Sequence, residues 1–167
     1  KGIVTAFDIE TTRIKTIEQS VMYVWQWQFD EEYTVIGRTW EQFEEFAHHL
    51  KACMKEREHL VVFVHNLSYE FQFFRGIYNF QSDEVFALKK RKVLKCDMYG
   101  FLEFRCSYIH SNMSLAEYTH KMGATHTKLS GEEFDYSIQR YPWTPLTPRE
   151  LEYATNDVLG LVESIKI

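Results

Sequence analysis

The chain has 167 residues, 45% of them hydrophobic and 16% aromatic, with only 7 Gly and 3 Pro, which excludes disordered, collagen-like and low-complexity classes and leaves apolar material for one packed core. Its net charge of −5 argues against a passive nucleic-acid-binding module, which is usually basic, but suits a protein that gathers carboxylates around cations. Cys53, Cys96 and Cys106 form no C-x-x-C spacing and read as free thiols of a reducing compartment. No signal peptide opens the chain and no apolar run reaches membrane-spanning length, so no membrane partner is expected and the triplets Asn66-Leu67-Ser68 and Asn112-Met113-Ser114 are not expected to carry glycans.

Gly2 to Phe7 is a continuous apolar run ending at Asp8, the pattern of a buried central strand. Val21 to Phe29 alternates and reads as a second strand; Asp30-Glu31-Glu32 turns into a third over Tyr33–Ile36. Thr39 opens a capping-box pattern, and Trp40, Phe43, Phe46, Ala47, Leu50 and Met54 follow at helical spacing. Leu60 to Val64 is a second fully apolar strand, reached by a parallel crossover, and a helix is expected from about Leu67. Residues 85–104 read as two more strands, with Lys89-Lys90-Arg91-Lys92 near the bend. Ser114 caps a short helix to Met122. Residues 123–147 are irregular and hold all the prolines but Pro148. The last helix is the clearest: Thr147 as N-cap, Pro148 at the first position, Glu150 closing the box, then a stripe of Leu151, Ala154, Val158, Leu161 and Ile165. The outline is an α/β domain with a mixed sheet, an antiparallel meander followed by parallel strands.

Chemistry is concentrated in three places. Asp8 and Glu10 are one residue apart on a strand, so both carboxylates share a face. Like charges so placed repel unless a cation lies between them, and hard divalent ions such as Mg²⁺ or Mn²⁺ take oxygen ligands of this kind. Taken alone, the pair reads more simply as two solvated charges at a strand end. Tyr153 and Asp157 are four apart and share a helical face beside the apolar stripe. Glu70 follows the strand Leu60–Val64 within His65-Asn66-Leu67-Ser68-Tyr69-Glu70, and Phe73 lies one turn after Tyr69. Four carboxylates could hold two divalent ions about 3.5–4 Å apart, an arrangement that stabilises the attacking and leaving oxygens of a phosphodiester.

Together these segments resemble a known family. Asp8-Ile9-Glu10-Thr11-Thr12 is similar to the first motif of DEDD-type 3′→5′ exonucleases. His65 to Glu70 resembles the second, and Tyr153-Ala154-Thr155-Asn156-Asp157 the third, in its tyrosine subclass. The wording of the motifs is most similar to protein-primed family B DNA polymerases of phages and linear plasmids. The resemblance implies a ribonuclease H-like three-layer fold and one exonuclease domain over residues 1–167, the N-terminal part of a larger polymerase in a host cytoplasm. It implies that Asp8, Glu10, Glu70 and Asp157 bind two Mg²⁺ or Mn²⁺ ions and that Tyr153 orients the attacking water. Thr11, His65, Asn66, Tyr69 and Phe73 would hold a single-stranded DNA 3′ end, joined by Ser107 and Tyr136, and Lys128 would be a further catalytic residue. A polymerase domain and a terminal-protein primer would be partners. One position departs from the pattern: the second motif usually ends in Asp, and here it is Glu70, which leaves open a weakened module that binds a single strand or a terminal protein.

Overall fold

The computed structural model describes residues 2–89, 92–107, 113–126 and 137–166. A seven-stranded sheet runs in the order β3-β2-β1-β4-β7-β6-β5. The strands are β1 (Thr5–Ile14), β2 (Gln19–Phe29), β3 (Tyr33–Gly37), β4 (Leu60–Val64), β5 (Val85–Lys89), β6 (Lys92–Met98) and β7 (Leu102–Cys106). Among the described residues the α-helices are α1 (Trp40–Cys53), α2 (Leu67–Phe74), α3 (Leu115–Lys121) and α4 (Pro148–Lys166). β1, β4 and β7 form the parallel centre, flanked by an antiparallel meander on each side. Among the described residues, no helix is long and apolar enough to cross a membrane.

Alternation on β1 divides the core. Phe7 and Ile9 face one way and pack with Trp25, Trp27, Val62, Val64 and Phe104 beneath α1 and α2. Phe7 lies among the rings of Trp25, Trp27, Phe43, Phe74 and Phe104, at centroid distances from 5.2 to 6.1 Å. Ala6 faces the other way, against Leu161 and Val162 of α4, with Leu115 and Tyr118 of α3 beside them. The result is the three-layer α/β arrangement expected from the sequence.

Two expectations change. The first strand does not stop at Asp8: it continues to Ile14, because β2 is long enough to pair with it throughout, with a bulge between Glu10 and Thr11. Asp8 and Glu10 are therefore mid-strand. What ends early is the parallel pairing of β1 with β4, which reaches only Ala6↔Phe63. Residues 85–106 hold three strands, because a second tight turn lies at Tyr99-Gly100 with φ of 58° and 77°. Positive φ at both central residues marks the hairpin turn, and Tyr at the first is a weak sequence signal for it.

The helix caps form as their sequences dictate. Thr39 Oγ1 accepts from the Gln42 N–H at 3.1 Å and Ser114 Oγ from Glu117 N–H at 3.2 Å. Ahead of α4 the box is reciprocal: Glu150 N–H donates to Thr147 Oγ1 at 3.1 Å and Thr147 N–H to Glu150 Oε1 at 2.9 Å. Gly160 lets α4 meet the segment after α3, since a Cβ there would lie 2.0 Å from the His126 carbonyl oxygen. Helix propensity alone would make Gly160→Ala stabilising by about 1 kcal/mol. The backbone clash reverses the sign, so a loss of about 1–3 kcal/mol is expected in urea unfolding.

Candidate active site

β1 supplies the first two acids, and the close fit of its Phe7 in the ring cluster fixes the strand beneath them. α4 crosses the opposite side of the sheet and brings Asp157 over β1. Oxygens of Asp8, Glu10 and Asp157 all lie within 4.8 Å of one another, with Asp8 and Glu10 half-buried and Asp157 buried. Tyr153 is buried one turn before Asp157 on the same helical face. An all-carboxylate donor set at this spacing fits a hard divalent cation.

Glu70 reaches the site from α2, which begins where β4 ends; Asn66, at φ 137°, makes the corner. The Glu70 carboxyl stands outside the close group of three but is 4% exposed, and burial pushes its pKa well above the usual range, with the charges of Asp8 and Glu10 adding to the effect. An open cleft of about 200 Å³ is bounded by Asp8, His65, Asn66, Tyr69, Glu70 and Asp157, with Leu115 on its wall.

Hydrogen bonds anchor the walls of that cleft. Tyr69 Oη and Thr11 Oγ1 are 2.5 Å apart, tying α2 to β1 just past the acids. Burial raises the Tyr69 pKa; the Thr11 bond works against that, and the nearby Glu70, Glu10 and Asp8 charges add to it. His65 Nε2 lies 2.8 Å from the Met113 carbonyl oxygen, so in the neutral ring Nε2 carries the proton. Nδ1, 2.9 Å away from Ser107 Oγ, then accepts from that hydroxyl. Ser107 is buried at the end of β7, so it acts on the site through His65. The His65 ring also stacks on Tyr118 of α3, at 5.9 Å and 9°. Phe73 contacts Tyr69 edge-on at 5.5 Å and opens onto a second, largely apolar cleft of about 270 Å³ walled by Met22, Trp40 and Pro142.

Thus Asp8, Glu10, Thr11, His65, Asn66, Tyr69, Glu70, Asp157 and Tyr153 belong to one region, Phe73 to its edge, and Ser107 to the layer beneath. Lys128 and Tyr136 lie outside the described residues. Lys95, three residues after the basic stretch Lys89 to Lys92, is paired with Asp97 at 3.5 Å and Glu103 at 3.7 Å, while Lys90 and Arg91 lie outside the described residues. Leu115 and Tyr118 carry no motif that would have marked them. Nor does Arg140, whose backbone N–H donates to Thr12 Oγ1 at 3.3 Å and whose guanidinium pairs with Glu150, joining β1 to the start of α4.

A family profile described as 3'-5' exonuclease matches residues 2–166. The chain belongs to this 3'-5' exonuclease family. No curated protein sequence matches the chain. Among solved structures, phi29 DNA polymerase complexed with single-stranded DNA aligns with a TM-score of 0.80 at 15% identity, over 99% of this chain and 31% of that one. The same polymerase with primer-template DNA and incoming nucleotides aligns at 0.76 and 14% identity, over 99% and 30%. At such identities the likeness is one of fold, and the chain spans about a third of the length of those polymerases.

Glu70 yields a stability test. Its folded pKa is raised, so its contribution is fully present below the unfolded value and is lost as pH rises through the folded one. With a chelator present, Glu70→Gln should match the parent near pH 4 and exceed it increasingly toward pH 8, by on the order of 1 kcal/mol. Denaturant midpoints across that range check it.

Proposed function

We propose that this exonuclease domain removes nucleotides from a single-stranded DNA 3′ end by hydrolysis with two divalent ions, proofreading for a protein-primed DNA polymerase. The convergence of Asp8, Glu10 and Asp157, with Glu70 beside them, supports it most strongly. Solvated surface acids would not be drawn from three separate elements into one half-buried place. Mg²⁺ or Mn²⁺ would be held by Asp8, Glu10 and Asp157, with Glu70 serving a second ion; bound there, the ions supply an acidified water and offset the charge on the phosphate oxygens.

The chain's own groups do the rest. Tyr153, one turn before Asp157, would orient the attacking water through its hydroxyl. The water oxygen bonds to phosphorus while the bond to the preceding 3′ oxygen breaks. This releases a nucleoside 5′-monophosphate and leaves a strand one nucleotide shorter. Tyr69 and Phe73 offer ring faces for unpaired bases, and the Thr11 bond fixes Tyr69 relative to the acids. Asn66 and His65 line the cleft beside the acids, where they would contact the strand. A polymerase region and a terminal-protein primer are the partners this reading adds.

A 5′-labelled single-stranded oligonucleotide with Mn²⁺ tests the reading. The parent should shorten it, and D8A/E10A should lose the rate by on the order of a thousand-fold or more. Equal rates for the two would refute the assignment. Binding without shortening by the parent would favour a module weakened at Glu70, and faster cleavage of RNA of the same sequence would make the chain an exoribonuclease. Phe73→Ala should raise KM by the loss of one stacked base, about 1–3 kcal/mol, with a smaller effect on kcat; steady-state kinetics on single strands separates the two.

A further inference from the structure

Gln26 and Gln28 stand two apart on β2, on the same face of the sheet as Ala6 and Asp8, to which they are paired. Both are buried, at 0% and 1% exposure. Gln28, opposite Ala6, is matched at both ends: Nε2 donates to the Asp30 carbonyl at 3.0 Å, and Oε1 accepts from the Thr34 hydroxyl. Gln26, opposite Asp8, is not. Neither its Nε2 nor its Oε1 has a hydrogen-bond partner, and both are out of reach of solvent.

A buried primary amide without partners is costly, and an aliphatic side chain of the same length would fill the space without that cost. The neighbouring buried positions of β2 are filled by Val24, Trp25 and Trp27. An amide here therefore calls for a state of the protein in which it is paired. Side chains directly opposite on antiparallel strands are within reach of one another, and the residue opposite is an acid of the carboxylate cluster. Carboxylates that ligate cations are characteristically held by a second hydrogen bond from the protein.

We propose that Gln26 is a positioning residue for the cluster: its amide N–H donates to the Asp8 carboxylate in the cation-loaded protein and holds that carboxylate in place for the ion. The inference rests on the cation reading above. Gln26 touches no substrate and acts only through Asp8. The bond would be charge-assisted, stronger than one between neutral groups, and formed where no water competes.

The test compares Gln26→Met with Gln28→Met, measuring Mn²⁺ affinity by calorimetry and the thermal midpoint in chelator. Gln26→Met should bind Mn²⁺ about 10–100-fold more weakly, with a midpoint in chelator at or above the parent's. Gln28→Met should lose midpoint and keep the parent's Mn²⁺ affinity. Parental Mn²⁺ affinity in Gln26→Met overturns the proposal, whatever its midpoint. A second measurement needs no variant. During a Mg²⁺ titration of ¹⁵N-labelled parent, the Gln26 side-chain amide protons should shift downfield and exchange more slowly with water. If they stay unchanged while the Asp8 backbone amide responds, Gln26 has no such role and the cation reading survives. If the parent binds neither ion, both readings fall.

Discussion

Like charges confined to one place dominate this molecule. Asp8, Glu10 and Asp157 bring their oxygens within 4.8 Å of one another, and Glu70 is close enough to feel two of them. At such separations, repulsion between carboxylates near a protein surface is on the order of a few kcal/mol per pair. A soft scaffold would relieve it by moving apart. Here the strand is held by the ring cluster around Phe7, and the helix by its capping box and the Gly160 contact. Rigidity converts the repulsion into a standing demand for positive charge, which is what a cation site needs.

The sheet decides where that demand arises. β1 stays paired with β2 to its end but parts from β4 after Ala6↔Phe63. Beyond that point β4 turns through His65 and Asn66 into α2, and the opening between the two strands becomes the cleft. Ligand sites in α/β sheets commonly lie at the carboxyl ends of parallel strands, where neighbouring chains diverge. Thr11 follows Glu10 in the alternation of β1 and so faces α2, where its hydroxyl meets Tyr69.

A layer of polar contacts supports the acids from behind. Ser107 and Met113 set the orientation of His65. Arg140 bridges Thr12 and Glu150, so the end of β1 and the start of α4 share one anchor. The two Arg140 contacts join the elements that carry Asp8, Glu10 and Asp157. Movement of α4 against β1 would therefore break buried polar pairs as well as apolar contacts, which favours a single arrangement of the site.

Local physics made much of this legible in the amino-acid order. The Thr147–Glu150 box and the apolar stripe of α4 are short-range patterns, and so is the strand alternation that puts Asp8 and Glu10 on one face. Spacing also marked Tyr153 with Asp157 and placed Glu70 just after a buried strand. The extension of β1 to Ile14 was not legible, because polar Thr11, Thr12 and Arg13 are strand residues only while β2 pairs with them. Nor was the Tyr99-Gly100 turn, where a non-Gly residue at positive φ is held by its setting. The role of Gln26 depends on which residue faces it across the sheet, and register is a property of paired strands, absent from either strand alone, while those of Ser107 and Arg140 depend on contacts between segments far apart in the chain. The sequence by itself therefore determined which side chains could do the chemistry. Tertiary structure alone decided that acids from three elements meet, because only packing can hold repelling charges together.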